Sequence, residues 1–110
     1  MSRGQAPLGR GRERQRVEDA ELVRRCLRGD AGAWEAIVRA HTRRIYNLCY
    51  RFTANAQEAQ DLTQEVFLRV FRTLKSFSPA QGTLAVWLHR VTRNLLIDHY
   101  RATRRDRLTA

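Results

Sequence analysis

Arg90, Asn94 and Arg101 are the residues whose types and spacing carry chemistry in this chain. Set on a helix, they recur together with Ile97 along one side, and Trp87 sits at the seam with the other. A guanidinium forks onto phosphate, a carboxamide offers a donor and an acceptor to a base edge, and an indole offers a face. That chemistry is recognition of a polyanion, and nucleic acid is the partner it suits. The same stretch, Thr83 to Arg107, runs out into Arg104, Arg105 and Arg107. Catalysis finds no support. There is no Gly-rich phosphate loop, and His41, His89 and His99 lack a metal-binding spacing with Cys26 and Cys49. Asp98 and His99 are neighbours in sequence, so a helix points them in different directions and they form no base dyad. The expectation is a binding module: not an enzyme, with no metal and no cofactor.

These side chains need a scaffold, and the chain reads as four helices. Leu84, Leu88, Val91 and Leu95 recur as the buried stripe of the last helix, which Thr83 caps. Glu18 to Gly29 is a first helix, with Asp19 placed to cap it and Gly29 as a left-handed stop. Its buried side is Leu22, Val23, Cys26 and Leu27. Asp30 caps a second helix running to about Phe52. Its broad apolar stripe is Trp34, Ile37, Val38, His41, Ile45, Leu48, Cys49 and Phe52, with Arg39, Arg43, Tyr46 and Tyr50 opposite. Asn55 followed by Glu58 has capping-box spacing and opens a third helix to about Lys75. Ala59, Thr63, Val66, Phe67, Val70 and Leu74 face inward on it. Asp61, Gln64, Glu65, Leu68 and Arg72 face outward, an acidic stripe with an exposed leucine. An acidic stripe repels DNA and fits a protein partner; a plain solvated face is the other reading. Ser76 to Gly82 is a loop, with Phe77 folding back onto the core and Ser78, Gln81 and backbone amides free for contacts. Short connections make neighbouring helices antiparallel.

The composition agrees with an anionic partner. Net charge is +10 on 110 residues, and of the 21 basic residues only Lys75 is a lysine. The arginine bias reads either as phosphate chemistry or as a GC-rich genome. No apolar run is long enough to span a membrane, and the first residues are no secretory signal. Cys26 and Cys49 lie on apolar stripes and read as buried thiols of a reducing cytoplasm. Residues 1–17, with five arginines and three glycines, read as a disordered basic tail.

Gln57 to Leu74, QEAQDLTQEVFLRVFRTL, then a Phe-Ser-Pro loop, then WLHRVTRNLLIDHYR at Trp87 to Arg101, resembles the second conserved region of sigma-70 family factors. The ECF (extracytoplasmic-function) group is the most similar. The resemblance runs from about Ala20 to Arg107, and its two motifs are specific in this order and separation. It implies a bacterial transcription initiation factor, cytoplasmic, whose third helix docks on the β′ clamp coiled coil of RNA polymerase through Asp61, Gln64, Glu65, Leu68 and Arg72. It also implies recognition and opening of the promoter minus-ten element. Phe77, Ser78, Gln81, Gly82 and Thr83 would line a pocket for an extruded base of the non-template strand. Arg90, Asn94 and Arg101 would follow the strand. Trp87 reads as a packing residue at the core edge or as a wedge into the duplex. Asp98 is expected to form an ion pair that orients Arg101. An anti-sigma factor is a further expected partner. Residues 18–107 would be the region 2 domain, and 108–110 the start of a linker to a missing domain that reads the minus-thirty-five element. A free-standing basic protein that coats duplex DNA without polymerase is the alternative.

Overall fold

The structure, a computed structural model, describes residues 8–109. It is all-α: α1 (Leu8–Leu27), α2 (Ala31–Thr53), α3 (Ala56–Thr73) and α4 (Leu84–Thr109). Between α3 and α4 stand two single turns of 3-10 helix, Leu74–Ser76 and Pro79–Gln81. The four-helix expectation holds, and the helix junctions follow the local signals. Gly29 takes φ +96° and ends α1, with the Asp30 amide closing back onto the Arg25 carbonyl at 3.0 Å. Asp30 Oδ1 accepts the amides of Gly32 and Ala33 at 3.0 and 3.2 Å, capping α2. Asn55 Oδ1 accepts the Glu58 amide at 2.8 Å and caps α3. Only half the capping box forms: the Glu58 carboxylate lies 3.7 Å from His99 Nε2 on α4 instead.

The core gathers Val23 and Cys26 of α1, Ile37, Ile45 and Cys49 of α2, Leu62, Val66 and Val70 of α3, and Leu84, Leu88 and Leu95 of α4. Phe67 is buried as expected. Several expectations change. Leu27 and Phe52 are exposed, because each lies in the last turn of its helix, where the chain leaves the core. Phe52 still meets Tyr100 of α4 edge-on, with ring centroids 6.2 Å apart. Tyr46 is half-buried rather than outward-facing, and stacks on Tyr50. Thr92 and Leu96 are buried on α4 beside the expected stripe. The Thr92 hydroxyl donates to the Leu88 carbonyl at 2.8 Å, which satisfies it inside the core.

The tail expectation is corrected for residues 8–17, which extend α1 by ten residues; Met1 to Pro7 lie outside the described residues. Arginine, glutamate and glutamine are good helix formers, and adding a turn to a helix already anchored by Val23 and Cys26 needs no new nucleus. Thr109 likewise continues α4 past the boundary expected at residue 107, and Ala110 lies outside the described residues. Both helices overrun the bundle. The radius of gyration is 16.7 Å and the extents are 64 × 36 × 23 Å; a compact chain of about 100 residues has a radius near 13 Å.

Candidate nucleic-acid interface and a second exposed face

The chain between Leu74 and Leu84 is folded tightly against the start of α4. Phe77 packs on the core, and its ring meets Trp87 at 5.7 Å and 64°. Pro79 opens the second 3-10 turn, and Gly82 ends it at φ +132°, a backbone conformation that favours glycine. Thr83 Oγ1 then accepts the Val86 amide at 3.3 Å, and the Thr83 carbonyl accepts the Trp87 amide at 3.2 Å. The Leu84 amide, at the head of α4, goes elsewhere: Asp19 Oδ2 accepts it at 2.8 Å.

Asp19 therefore does not cap its own helix. It lies inside α1, with 5% of its surface exposed, and its other oxygen accepts from Gln15 Nε2 at 2.9 Å. The sequence suggested only a local cap, since nothing in it marks a partner 65 positions away.

Phe77, Ser78, Gln81, Gly82, Thr83, Trp87 and Arg90 line one small cleft. Its free volume is about 10 Å³, room for one water at most. Asn94 and Arg101 are outside the cleft, exposed on α4 one and three turns beyond Arg90. Ile97 is half-buried and serves the α2–α4 seam instead, beside Phe52 and Leu96. Asp98 does form an ion pair between helices, but with Arg69 of α3 at 3.5 Å rather than with Arg101. It thus fastens α4 to α3. Sequence reading also missed a recess of about 540 Å³ lined by Arg43, Arg44, Asn47 and Arg51 of α2 with His89 of α4. The signal was present as three arginines within nine residues, but their meeting with His89 is tertiary.

The second face belongs to α3. Asp61, Gln64, Glu65, Leu68 and Arg72 are all exposed, and Gln57 Nε2 donates to Asp61 Oδ1 at 3.1 Å. Beside them an apolar groove of about 860 Å³ runs between α2 and α3, floored by Trp34, Val38, Thr63 and Phe67. Leu68 is 55% and Phe71 61% exposed at its rim, and Phe71 meets Trp34 edge-on at 5.1 Å. The groove is an exposed apolar surface bordered by the polar side chains of Gln60 and Gln64. Phe71 was absent from the sequence-based set because it lies off the outward stripe. The residues of the groove and of the loop cleft are wholly distinct sets.

Among the described residues no group of histidine, cysteine and carboxylate side chains is placed to hold a metal, and no helix is long and apolar enough to cross a membrane. Cys26 and Cys49 are free and buried, and burial pushes both thiols up from their ordinary value.

The four helices, α1 to α4, have the fold of sigma region 2. The family model described as Sigma-70 region 2 matches residues 37–106, and the chain belongs to that family. Its relatives place it in the ECF group. It is 46% identical over 85 residues to the ECF RNA polymerase sigma factor SigE of Mycolicibacterium smegmatis, covering 74% of this chain and 32% of that protein. It is 36% identical over 84 residues to the ECF RNA polymerase sigma factor SigW of Bacillus subtilis, covering 76% and 44%. The chain thus spans under half the length of these relatives. Among solved structures, it is similar in fold to an engineered region 2 of sigmaE in complex with GTAAAA, determined by NMR. The TM-score is 0.69 at 24% identity, over 96% of this chain and 97% of that one.

Proposed function

We propose that this domain directs RNA polymerase to promoters, binding the β′ clamp coiled coil through α3 and reading the minus-ten element with the loop cleft and α4. The observation that carries this reading is the cleft itself: Phe77, Gly82, Trp87 and Arg90 converge there, and Asn94 and Arg101 continue from it along exposed helix. A base stacks on aromatic rings, arginines hold the phosphates on either side, and the Asn94 amide reads a base edge. The cleft is too small for a base as it stands, so entry requires the Phe77 side of the loop to part from Trp87. An unpaired base costs least to insert, which links reading the strand to opening the duplex. On α3, Asp61, Gln64, Glu65, Leu68 and Arg72 supply polymerase contacts, and the apolar groove beside them suits the same partner or an anti-sigma factor that competes with it. The protein acts in the bacterial cytoplasm and catalyses nothing itself.

The test pairs two measurements on the 110-residue chain. Asp61→Arg should abolish capture by an isolated β′ coiled-coil fragment while leaving helical content unchanged; capture retained in full would remove α3 from the interface. A single-stranded GTAAAA oligonucleotide, the sequence in the NMR complex, should bind more tightly than its scrambled counterpart. Tight binding that is blind to sequence and limited only by salt, with no hold on the β′ fragment, would favour a free-standing DNA-coating protein. The net charge of +10 and the Arg43–Arg51 recess lend that second reading its support.

A further inference from the structure

We propose that Asp19 is a positioning residue for the base-reading cleft, a latch from α1 that fixes where α4 begins; this rests on the promoter-reading role just proposed. A carboxylate with 5% of its surface exposed is costly to bury unless donors meet it. Asp19 forms no ion pair among the described residues. Its donors are the Gln15 side chain and the Leu84 backbone amide. The second of these lies at the N-terminus of α4, where unpaired amides and the helix dipole favour a negative charge. The match is specific in geometry. Thr83 caps the Val86 amide and leaves the Leu84 amide unpaired, and Asp19 takes it.

The Leu84 donor therefore reaches the carboxylate only when α4 begins at one height and in one rotation against α1. Trp87 and Arg90 stand one and two turns further along the same helix. Any slip of the helix start moves the indole relative to Phe77, and with it the mouth of the cleft. α1 also packs against both 3-10 turns, so the loop is held between the helix that supplies the carboxylate and the helix that receives it. Asp19 touches no nucleic acid on this reading. It acts by holding Leu84.

Asp19→Ala removes both acceptors. Asp19→Asn keeps an oxygen for the Leu84 amide and offers its NH2 to a flipped Gln15. The full chain is measured in both forms for binding of single-stranded GTAAAA, for capture of the β′ coiled-coil fragment, and for exchange of the Leu84 amide with solvent. The expected result for the alanine variant is oligonucleotide binding about tenfold weaker, the size of a lost helix cap. Its Leu84 amide should exchange faster while capture of the β′ fragment is unchanged. The asparagine variant should restore oligonucleotide binding and slow Leu84 exchange, again with capture of the β′ fragment unchanged. Equal oligonucleotide affinity in wild type and the alanine variant would overturn the proposal. So would equal losses of oligonucleotide and β′ binding, which would make Asp19 a general stabiliser. If the wild type itself ignores the oligonucleotide, the promoter reading fails, and the Leu84 exchange comparison still decides whether the latch exists: unchanged exchange in the alanine variant overturns it.

Discussion

His41 shows how one side chain on the inner stripe of α2 ties stability to pH. It is half-buried, and burial first, then the nearby Arg44 charge, hold its imidazole below the ordinary value of 6.5, with Asp19 pulling weakly the other way. A depressed folded-state value means that the unfolded chain takes the proton first as pH falls. His41 therefore contributes stability that is present above pH 6.5 and is lost as pH falls through it. The urea midpoint of the wild type should drop between pH 7.5 and 5.5, and that of His41→Gln should drop less over the same range. Equal slopes would detach the effect from His41. Asp30 acts in a separate window. Its carboxyl is held down by Arg25 and by the α2 amides it caps, so its contribution is lost only as pH falls below about 3.8. Asp30, Asn55 and Gly29 were all legible in the sequence because a cap acts within three or four residues of itself. Asp19 and Asp98 were misassigned for the opposite reason: their partners, Leu84 and Arg69, are set by how helices pack.

At the scale of elements, α2 ends less favourably than α1. Ala54 sits at φ +54° in the left-handed region, and its amide bonds to the Tyr50 carbonyl at 2.7 Å. A residue with a Cβ pays about 1 kcal/mol for that conformation, and glycine does not. Ala54→Gly should raise stability by roughly 0.5–1 kcal/mol, offset in part by the looser unfolded chain; a lower thermal midpoint would refute the argument. On α4 the buried Thr92 hydroxyl bonds only to its own helix, so Thr92→Val should shift stability by less than about 1 kcal/mol. A loss well beyond that in a urea titration would reveal a second partner for the hydroxyl. Periodicity located all four helices and most of their inner faces, because burial repeats with the helical turn. It could not find the α2–α3 groove, since Trp34 and Phe71 are unremarkable on their own helices and form a surface only where the two meet.

Across the whole molecule, charge and shape divide the work. Most arginines lie outside the α3 face, where Asp61 and Glu65 are exposed together with Leu68. Binding to DNA should therefore be sensitive to salt, and binding to the β′ fragment much less so. Asn94→Ala should weaken minus-ten strand binding by about 1–3 kcal/mol and blunt the preference among sequences. Arg90→Ala or Arg101→Ala should weaken all sequences alike and reduce the salt slope by about one. An unchanged sequence preference would give Asn94 a structural role, and an unchanged slope would place the arginines away from phosphate. The two overrunning helix ends carry a different consequence. From Arg12 to Arg14, and again from Arg104 to Leu108, every side chain is exposed, so unwinding either end as far as that exposes little apolar surface. Both ends are also rich in the residue after which trypsin cuts. Brief digestion should nibble the chain at Arg12 and Arg14 and at Arg104 and Arg107, while arginines of the bundle such as Arg69 resist. A cut after Arg16 would go further and remove Gln15, leaving Asp19 with a single donor. The durability of the α1 end would then set how long a protease-exposed molecule keeps its loop in place.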